Sequence, residues 1–236
     1  MKTTLKLLSV LLLFISSACM FDGVKGNGNV RIEDRSISDN FEEIHVSRGI
    51  ILDLTSSAST SLTVEADENL QELIKTKVED GVLKIYAEKN IWSASAKTVH
   101  LATNHVVSIV ATSGANVNAR DVIKTDDFKL VATSGANIDL ALNVTNFDCN
   151  TTSGTNITLH GTAVHSAIRA TSGSNVKAED FRADSGNMVV TSGANVVVFV
   201  ENNLEATATS GGNIKYAGSP KEVKKNSSSG GSIRAR

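Results

Sequence analysis

Few residues in this sequence have the types and spacing that catalysis would require. Two pairs of adjacent carboxylates, Asp126-Asp127 and Glu179-Asp180, are the strongest candidates, because paired carboxylates can hydrolyse glycosidic bonds. The two pairs lie in different parts of the chain beside unlike neighbours, so solvated connectors are the simpler interpretation. No nucleophile elbow, zincin helix, phosphate loop or dinucleotide fingerprint is found in the sequence.

Histidines are the other candidates for acid–base chemistry or metal binding. The five are His45, His100, His105, His160 and His165. His160 and His165 share one segment that is expected between strands, and no cysteine or acidic residue recurs nearby. Surface or turn positions are therefore favoured, and neither a metal nor a cofactor is expected.

The first of the two cysteines follows a signal-like segment. Cys19 comes after a charged start, an apolar run over residues 5–15 and three small residues, which is the pattern of a secretory signal. A cysteine at that point resembles the lipobox of bacterial lipoproteins, although Ser16 stands where leucine is common. We predict a lipoprotein signal peptide at residues 1–18 and lipidation of Cys19. Ordinary cleavage with an incidental cysteine is the alternative.

A five-residue motif, Thr-Ser-Gly-Ala-Asn, organises the rest of the sequence. Its copies, exact or varied, begin at Thr112, Thr133, Thr152, Thr171, Thr191, Thr209 and, in a degraded form, Ser228. Successive copies start 18 to 21 residues apart. A motif that returns at this period indicates an array of stacked units.

Apolar residues recur at fixed distances from each copy of the motif. Five places after its first residue stand Val117, Ile138, Ile157, Val176, Val196, Ile214 and Ile233. Three places before it stand Ile109, Leu130, Cys149, Ile168, Met188 and Ala206, so Cys149 is interpreted as a buried apolar residue. This alternation predicts a strand with one buried face on each side of the motif. The predicted fold is all-β, a right-handed β-solenoid of three-sided coils about 4.8 Å apart.

The motif itself predicts a tight corner between two strands. Its glycine can take a positive φ without a Cβ penalty, and its asparagine tolerates turn conformations and can bond the local backbone. Stacked asparagine amides could also bond one another in a ladder. We prefer this structural role to a row of amides that binds sugar or calcium, because calcium sites usually include carboxylates. The predicted corner residues are Gly114, Asn116, Gly135, Asn137, Gly154, Asn156, Gly173, Asn175, Gly193, Asn195, Gly211 and Asn213.

The chain before the coils at 106–236 is less regular but also rich in predicted strands. Within residues 36–105, strands are expected at 41–46, 50–54, 62–66, 74–78, 82–86 and 97–102. Asp80-Gly81 predicts a tight hairpin turn, and residues 67–73 could hold one helical turn. Residues 19–35 are interpreted as a tether that leads into a first strand at 29–33.

Several stretches of this half resemble a known family. They are residues 41–49 (Phe-Glu-Glu-Ile-His-Val-Ser-Arg-Gly), 62–70 (Leu-Thr-Val-Glu-Ala-Asp-Glu-Asn-Leu) and 82–86 (Val-Leu-Lys-Ile-Tyr). With the Ser-Gly-Ala-Asn copies that follow, they are similar to the head GIN domain family of putative auto-transporter adhesins, over residues 36–236. The resemblance implies an all-β, secreted or lipid-anchored bacterial protein, and it supplies no catalytic motif. Adhesin is a label in that family, not a demonstrated activity.

Charge and composition narrow the candidate partners. The formal net charge is −2, and without residues 1–18 the 21 basic and 25 acidic residues give −4, with no basic stripe for nucleic acid. We predict a non-enzymatic cell-envelope lipoprotein, an adhesin-like binding or structural module that is exported and held in the outer membrane through Cys19. A surface glycan or a protein is the candidate ligand. A carbohydrate-active enzyme on a β-helix scaffold is the alternative.

Overall fold

The computed structural model describes residues 23–38 and 40–236, which are mainly strands joined by tight corners. The strands before the coils are β1 (Gly23–Lys25), β2 (Val30–Asp34), β3 (Glu43–Val46), β4 (Ile51–Thr55), β5 (Ser61–Asp67), β6 (Ile74–Glu79), β7 (Val82–Ala87), β8 (Asn90–Ser93) and β9 (Lys97–Ala102). The strands of the coils are β10 (Ser108–Ala111), β11 (Asn116–Ala119), β12 (Ile123–Ala132), β13 (Asn137–Thr151), β14 (Asn156–Ala170), β15 (Asn175–Val190), β16 (Asn195–Ala208), β17 (Asn213–Ala217), β18 (Glu222–Ser227) and β19 (Ser232–Ala235). The predicted signal peptide and Cys19 lie outside the described residues.

The coils form a β-solenoid, as the repeat predicted. Each of β13, β14 and β15 pairs in parallel with the next strand, and equivalent positions of successive repeats lie opposite each other. Asn137 pairs with Asn156, for example, and Ile138 with Ile157. About seven turns of about 19 residues are stacked in this way, so the predicted solenoid is confirmed.

The predicted inward rows form the core of the stack. The row five places after each motif start is buried from Val117 to Ile214, whereas Ile233 in the last coil is only partly covered. The row three places before it is buried from Ile109 to Ala206. Burial of one such aliphatic side chain stabilises the fold by roughly 1.5–3 kcal/mol, so these ladders are the main source of stability.

The strand β15 changes the phase of its buried positions between its corners. In β15 the buried positions alternate up to Ala178, resume out of phase at Phe181, and shift phase again between Ala183 and Gly186. The pairing of β15 with β16 is irregular at the same two places. In β13 the phase shifts once, between Val144 and Phe147, and in β16 it does not shift, so the number of phase shifts differs between coils.

The stack begins before the first copy of the motif. β3 pairs in parallel with β10 and β4 with β11, so residues of the less regular half form a coil in register with the repeats. Its corner is made by Arg48 and Gly49, whose φ values are 56° and 69°. The amide of Gly49 donates to the carbonyl of Ser113 in the next coil, at 2.9 Å. This coil was missed because only the glycine of the motif remains in it.

Antiparallel strands cap this end of the solenoid. β3 pairs in parallel with β7, and β4 pairs in parallel with β9. β6 then pairs with β7, and β5 with β9, in antiparallel orientation. The hairpin between β6 and β7 turns at Asp80 and Gly81, with φ of 52° and 77°, so the predicted tight turn is confirmed. The expected helical turn is a 3₁₀ helix, Glu68–Leu73. Such a cap covers a strand edge that would otherwise remain open to other chains.

A buried carboxylate fastens the start of the described chain to the cap. Asp67 is 1% exposed and accepts backbone hydrogen bonds from Ala96 at 3.0 Å, Ser95 at 2.9 Å and Gly28 at 2.8 Å. The bond from Ala96 contributes most to lowering the pKa of Asp67, and desolvation opposes it. The ionised carboxylate therefore holds the loop between β1 and β2 in place.

The segment interpreted as a tether contains two strands. β2 covers most of the expected strand at 29–33 and pairs with β5. β1 pairs in parallel with β8, with Gly23 opposite Asn90. Over the described ranges, no helix has the length and apolar character that crossing a membrane requires.

Candidate functional site

Two residues of each motif, the serine as well as the glycine, adopt positive φ. In the first copy Ser113 and Gly114 have φ of 54° and 72°. Serine φ stays between 49° and 59° in all seven copies. Two successive left-handed residues make the type of turn that also closes tight hairpins. The sequence predicted a positive φ for the glycine of the motif. It did not predict one for the preceding serine, although serine fills the second position of every copy.

The corners bond to one another along the stack. The glycine amide of each corner, from Gly114 to Gly211, donates to the serine carbonyl of the next corner at 3.0–3.1 Å. The left-handed serine costs on the order of 1 kcal/mol or more relative to an ordinary conformation. The stacked backbone bonds offset that cost, because they satisfy groups that a bend would leave unpaired.

The motif asparagines form a ladder in the middle of the stack. The Nδ2 of Asn156 donates to Oδ1 of Asn137 at 3.1 Å. Asn175 donates to Asn156 at 3.3 Å, and Asn195 to Asn175 at 3.1 Å. Asn116 donates only to its own corner, to the carbonyl of Gly114 at 3.4 Å. Within the described part of the chain, Asn213 makes no side-chain bond of this kind.

This geometry favours a structural role for the corner row. In the ladder, the amide oxygens of Asn137, Asn156 and Asn175 each already accept a bond from the neighbouring coil. The described residues also contain no group of three or more histidine, cysteine, aspartate or glutamate side chains placed to hold a metal ion.

A long groove runs across the coils away from the corner row and encloses about 700 Å³. One rim, rim A, is formed by Asp127, Asn146, His165, Ser185, Asn203 and Glu222. The other, rim B, is formed by Lys129, Asp148, Ala167, Asn187, Glu205 and Lys224. Each rim runs in strand register through six coils, so the groove is roughly 25 Å long.

The rims present unlike hydrogen-bonding groups to solvent. The rims contain four carboxylates, three amides, two lysines, one histidine, one hydroxyl and one alanine, and most of these side chains are exposed. Hydrogen bonds between neighbouring coils hold some of these side chains in position. Asn146 donates to Asp127 at 2.8 Å, and Nδ1 of His165 lies 2.7 Å from Oγ of Ser185. Such a surface can bind a polar ligand that lies along the stack axis.

The floor of the groove changes character halfway along the stack. Phe128 and Phe147 stack with ring centroids 6.5 Å apart, and the floor positions of the next two coils are Ser166 and Gly186. Phe181 fills the interior there, edge-on to Phe147 with centroids 5.2 Å apart. A Cβ on Gly186 would lie 2.9 Å from side-chain atoms of the core, so this part of the floor has to stay small.

Two buried hydroxyls lie in residues that line the groove. Ser108 and Ser166 are 6% and 4% exposed, and neither Oγ has a hydrogen-bond partner among the described residues. Leaving such a group unpaired costs about 1–3 kcal/mol. Both oxygens are shielded from solvent, so a ligand in the groove would not reach them in this conformation.

The predicted acid–base candidates are not gathered into one site. Asp127 and His165 line the groove, whereas Glu179, Asp180 and His160 do not. Asp180 lies 4.0 Å from His160. The segment that carries both histidines was expected between strands, and this was wrong: both lie inside the continuous strand β14. The sequence did not indicate a strand here because the alternation of buried and exposed residues changes phase between Ala163 and Ser166.

Cys149 has the environment of a core residue. It is fully buried in an inward row, and desolvation followed by the charge of Asp148 raises the pKa of its thiol. The group therefore stays a neutral thiol and acts as a small apolar side chain.

Comparisons with known proteins agree with this architecture. A putative adhesin from Bacteroides fragilis is 19% identical, with a TM-score of 0.82 over 91% of this chain and 100% of that one. A putative adhesin from Parabacteroides merdae is 22% identical, with a TM-score of 0.73 over 91% and 99% of the two chains. A putative lipid binding protein from Parabacteroides distasonis is 20% identical, with a TM-score of 0.74 over 90% and 99%. At these identities the likeness concerns the fold.

The sequence comparisons give the family. None of the curated proteins compared is significantly similar to the chain. The sequence model of the family described as "Putative auto-transporter adhesin, head GIN domain" matches residues 40–220, which is most of the chain. The resemblance noted in the sequence is thereby confirmed, and the protein belongs to the head GIN domain family of putative auto-transporter adhesins.

Proposed function

We propose that this protein is a non-enzymatic binding module of the cell envelope, which holds an extended polar ligand in the groove between rims A and B. The observation that carries the proposal is the continuity of the groove over six coils with unlike polar groups on both sides. A binding site uses convergent and varied groups, whereas the corner row repeats one amide. The adhesin descriptions of the family and its structural neighbours agree with binding at an extracellular or surface-exposed position.

The chemistry of the rims favours a ligand with little net charge. Rim A carries two carboxylates, and rim B pairs two carboxylates with Lys129 and Lys224 at its two ends. A strongly charged polymer would meet repulsion along part of the groove, whereas hydroxyl and amide groups find donors and acceptors along its whole length. A surface glycan strand is the ligand of this kind that we propose, with an extended polypeptide as the competing outcome of the test.

The geometry favours binding over glycoside hydrolysis. Asp127 accepts a bond from Asn146, and Asp148 accepts one from Asn150, both at 2.8 Å on the outer surface. A glycosidase needs one carboxyl group that is kept protonated by a largely apolar surrounding. Both side chains are exposed, which does not provide such a surrounding.

A screen of the purified full chain against glycans and envelope extracts tests the ligand, and one substitution tests the site. Ala167→Arg places a long charged side chain in the groove, and we expect it to weaken binding at least tenfold. Val164→Arg is the matched control, because Val164 lies on the same strand, is 44% exposed and does not line the groove. If both variants bind as the parent does, the groove is not the binding site.

We also propose that the module is anchored through a lipid on Cys19, in the outer membrane. The support is the signal-like segment that ends at this cysteine. In cells fed a labelled fatty acid, the parent should carry the label and be found in the membrane fraction. The Cys19→Ser variant should carry no label and should leave the membrane fraction. An unlabelled, soluble parent would contradict the anchor without affecting the groove.

A further inference from the structure

A large exposed aromatic side chain lies at the capped end of the solenoid. Trp92 in β8 is 56% exposed and is the one tryptophan of the chain. The indole packs over Gly23, since a Cβ on this glycine would lie 2.1 Å from Nε1 of Trp92. The neighbouring Ile91 points into the core, so β8 presents the tryptophan outwards from a fixed strand. This side chain has no part in the groove.

The chain enters the described structure directly beneath this tryptophan. β1 begins at Gly23 and pairs with β8, so the preceding 22 residues join the fold beside Trp92. Only three residues separate Cys19 from Gly23. Even a fully extended chain keeps these two positions within about 14 Å of each other. A lipid on Cys19 would therefore hold the bilayer surface close to Trp92.

Basic side chains surround the same strand. Lys89 immediately precedes β8, and Lys25 ends β1. Arg48 and Lys97 line a neighbouring cavity of about 430 Å³ together with Asn90. In the described part of the chain, none of these four cations has a carboxylate within 4.0 Å. Two acidic groups lie near this strand: Glu88, which is 3.5 Å from Lys75, and the buried Asp67, whose carboxylate accepts backbone bonds from Gly28, Ser95 and Ala96.

We propose that this cap surface, Trp92 with Lys25, Arg48, Lys89 and Lys97, docks on the anionic headgroups of a phospholipid bilayer. Tryptophan is favoured at membrane interfaces, where its ring meets apolar carbons and its N–H meets polar groups. Clustered lysine and arginine side chains are attracted to anionic lipid within about a Debye length of the surface. The lipid anchor and the docked cap together would fix the orientation of the domain and leave the coils free to meet a ligand.

The emission of Trp92 reports on this contact without a label, because the chain has no other tryptophan. The chain without residues 1–19, which carries neither the apolar segment at 5–15 nor the anchor, is mixed with vesicles that contain phosphatidylglycerol and brominated acyl chains. The emission of Trp92 should shift to shorter wavelength and be quenched. Vesicles of phosphatidylcholine alone should cause a much smaller shift and much less quenching. Lys25→Gln and Lys89→Gln should each weaken binding about fivefold, which corresponds to about 1 kcal/mol per lysine.

Matched variants separate the cap from general electrostatics. Lys177→Gln and Lys215→Gln remove exposed lysines from the coils and should leave vesicle binding unchanged. Equal losses for these and the cap lysines would overturn the proposal, as would equal binding to both kinds of vesicle. The anchored parent provides an independent check in reconstituted vesicles. If it floats with the vesicles while Trp92 stays unquenched, the anchor holds but the docked cap is refuted.

Discussion

Replacing Asn156 by alanine tests whether the corner amides hold the stack together. Asn156 donates to Asn137 at 3.1 Å and accepts from Asn175 at 3.3 Å, so the change removes two ladder bonds. A net hydrogen bond contributes about 0.5–1.5 kcal/mol, and the exposed position places these at the lower end. We expect a loss of about 1–2 kcal/mol in the free energy of unfolding.

Asn213→Ala is the matched control for this measurement. The residue has the same type and motif position, but in the described chain it makes no ladder bond to Asn195. Its loss should stay within about 0.5 kcal/mol. Denaturant unfolding of both variants beside the parent gives the midpoints and slopes. If Asn156→Ala is as stable as the parent, or costs no more than Asn213→Ala, the ladder is not stabilising. Loss of ligand binding at unchanged stability would make the asparagine row the functional site.

Three further outcomes are expected. Backbone N–H groups lower the pKa of Asp67, so the stability it supplies is present above the unfolded pKa of about 3.9 and is lost as pH falls through the lower folded value. Unfolding midpoints measured across this range should fall with acid, and less steeply for Asp67→Asn. Gly161→Ala should lose at least about 3 kcal/mol, since φ is 106° and the new Cβ would lie 2.0 Å from the carbonyl oxygen of Leu142. Gly154→Ala, with φ of 72° and open space, should lose only about 1 kcal/mol, and equal melting temperatures would contradict this reasoning. In a Cys19→Ser chain, the thiol of Cys149, whose pKa burial raises, should react with a thiol reagent only at the rate of unfolding, and rapid labelling of that folded chain would disprove the burial of Cys149.

The sequence alone was sufficient for the repeat and its buried rows. Parallel strands in register place equivalent residues of successive coils on top of each other, so each coil needs the same pattern of inward side chains. The row from Val117 to Ile214 records that requirement directly. The hairpin at Asp80-Gly81 was predictable for a local reason, because a two-residue turn depends on the φ values of its own residues.

The first coil and the conformation of the motif serine depend on pairing between distant strands, so they could not be predicted from the sequence. The coil with its corner at Arg48 and Gly49 belongs to the stack because β3 and β4 pair with strands about 65 residues away. Its own sequence retains only the glycine of the motif, so the repeat pattern does not reveal it. The positive φ of the motif serine could not be predicted either, because the backbone bonds that offset its conformational cost are made with the next coil.

Only the tertiary structure could assemble the two proposed surfaces. The groove joins unlike side chains that have no common pattern, and its rims exist because the strand register brings residues 18–20 positions apart into line. Trp92 and Gly23 are far apart in the sequence and meet because β1 pairs with β8. Repeated contacts leave a periodic trace in a sequence, whereas a contact made once, between distant segments, leaves none that a single sequence can reveal.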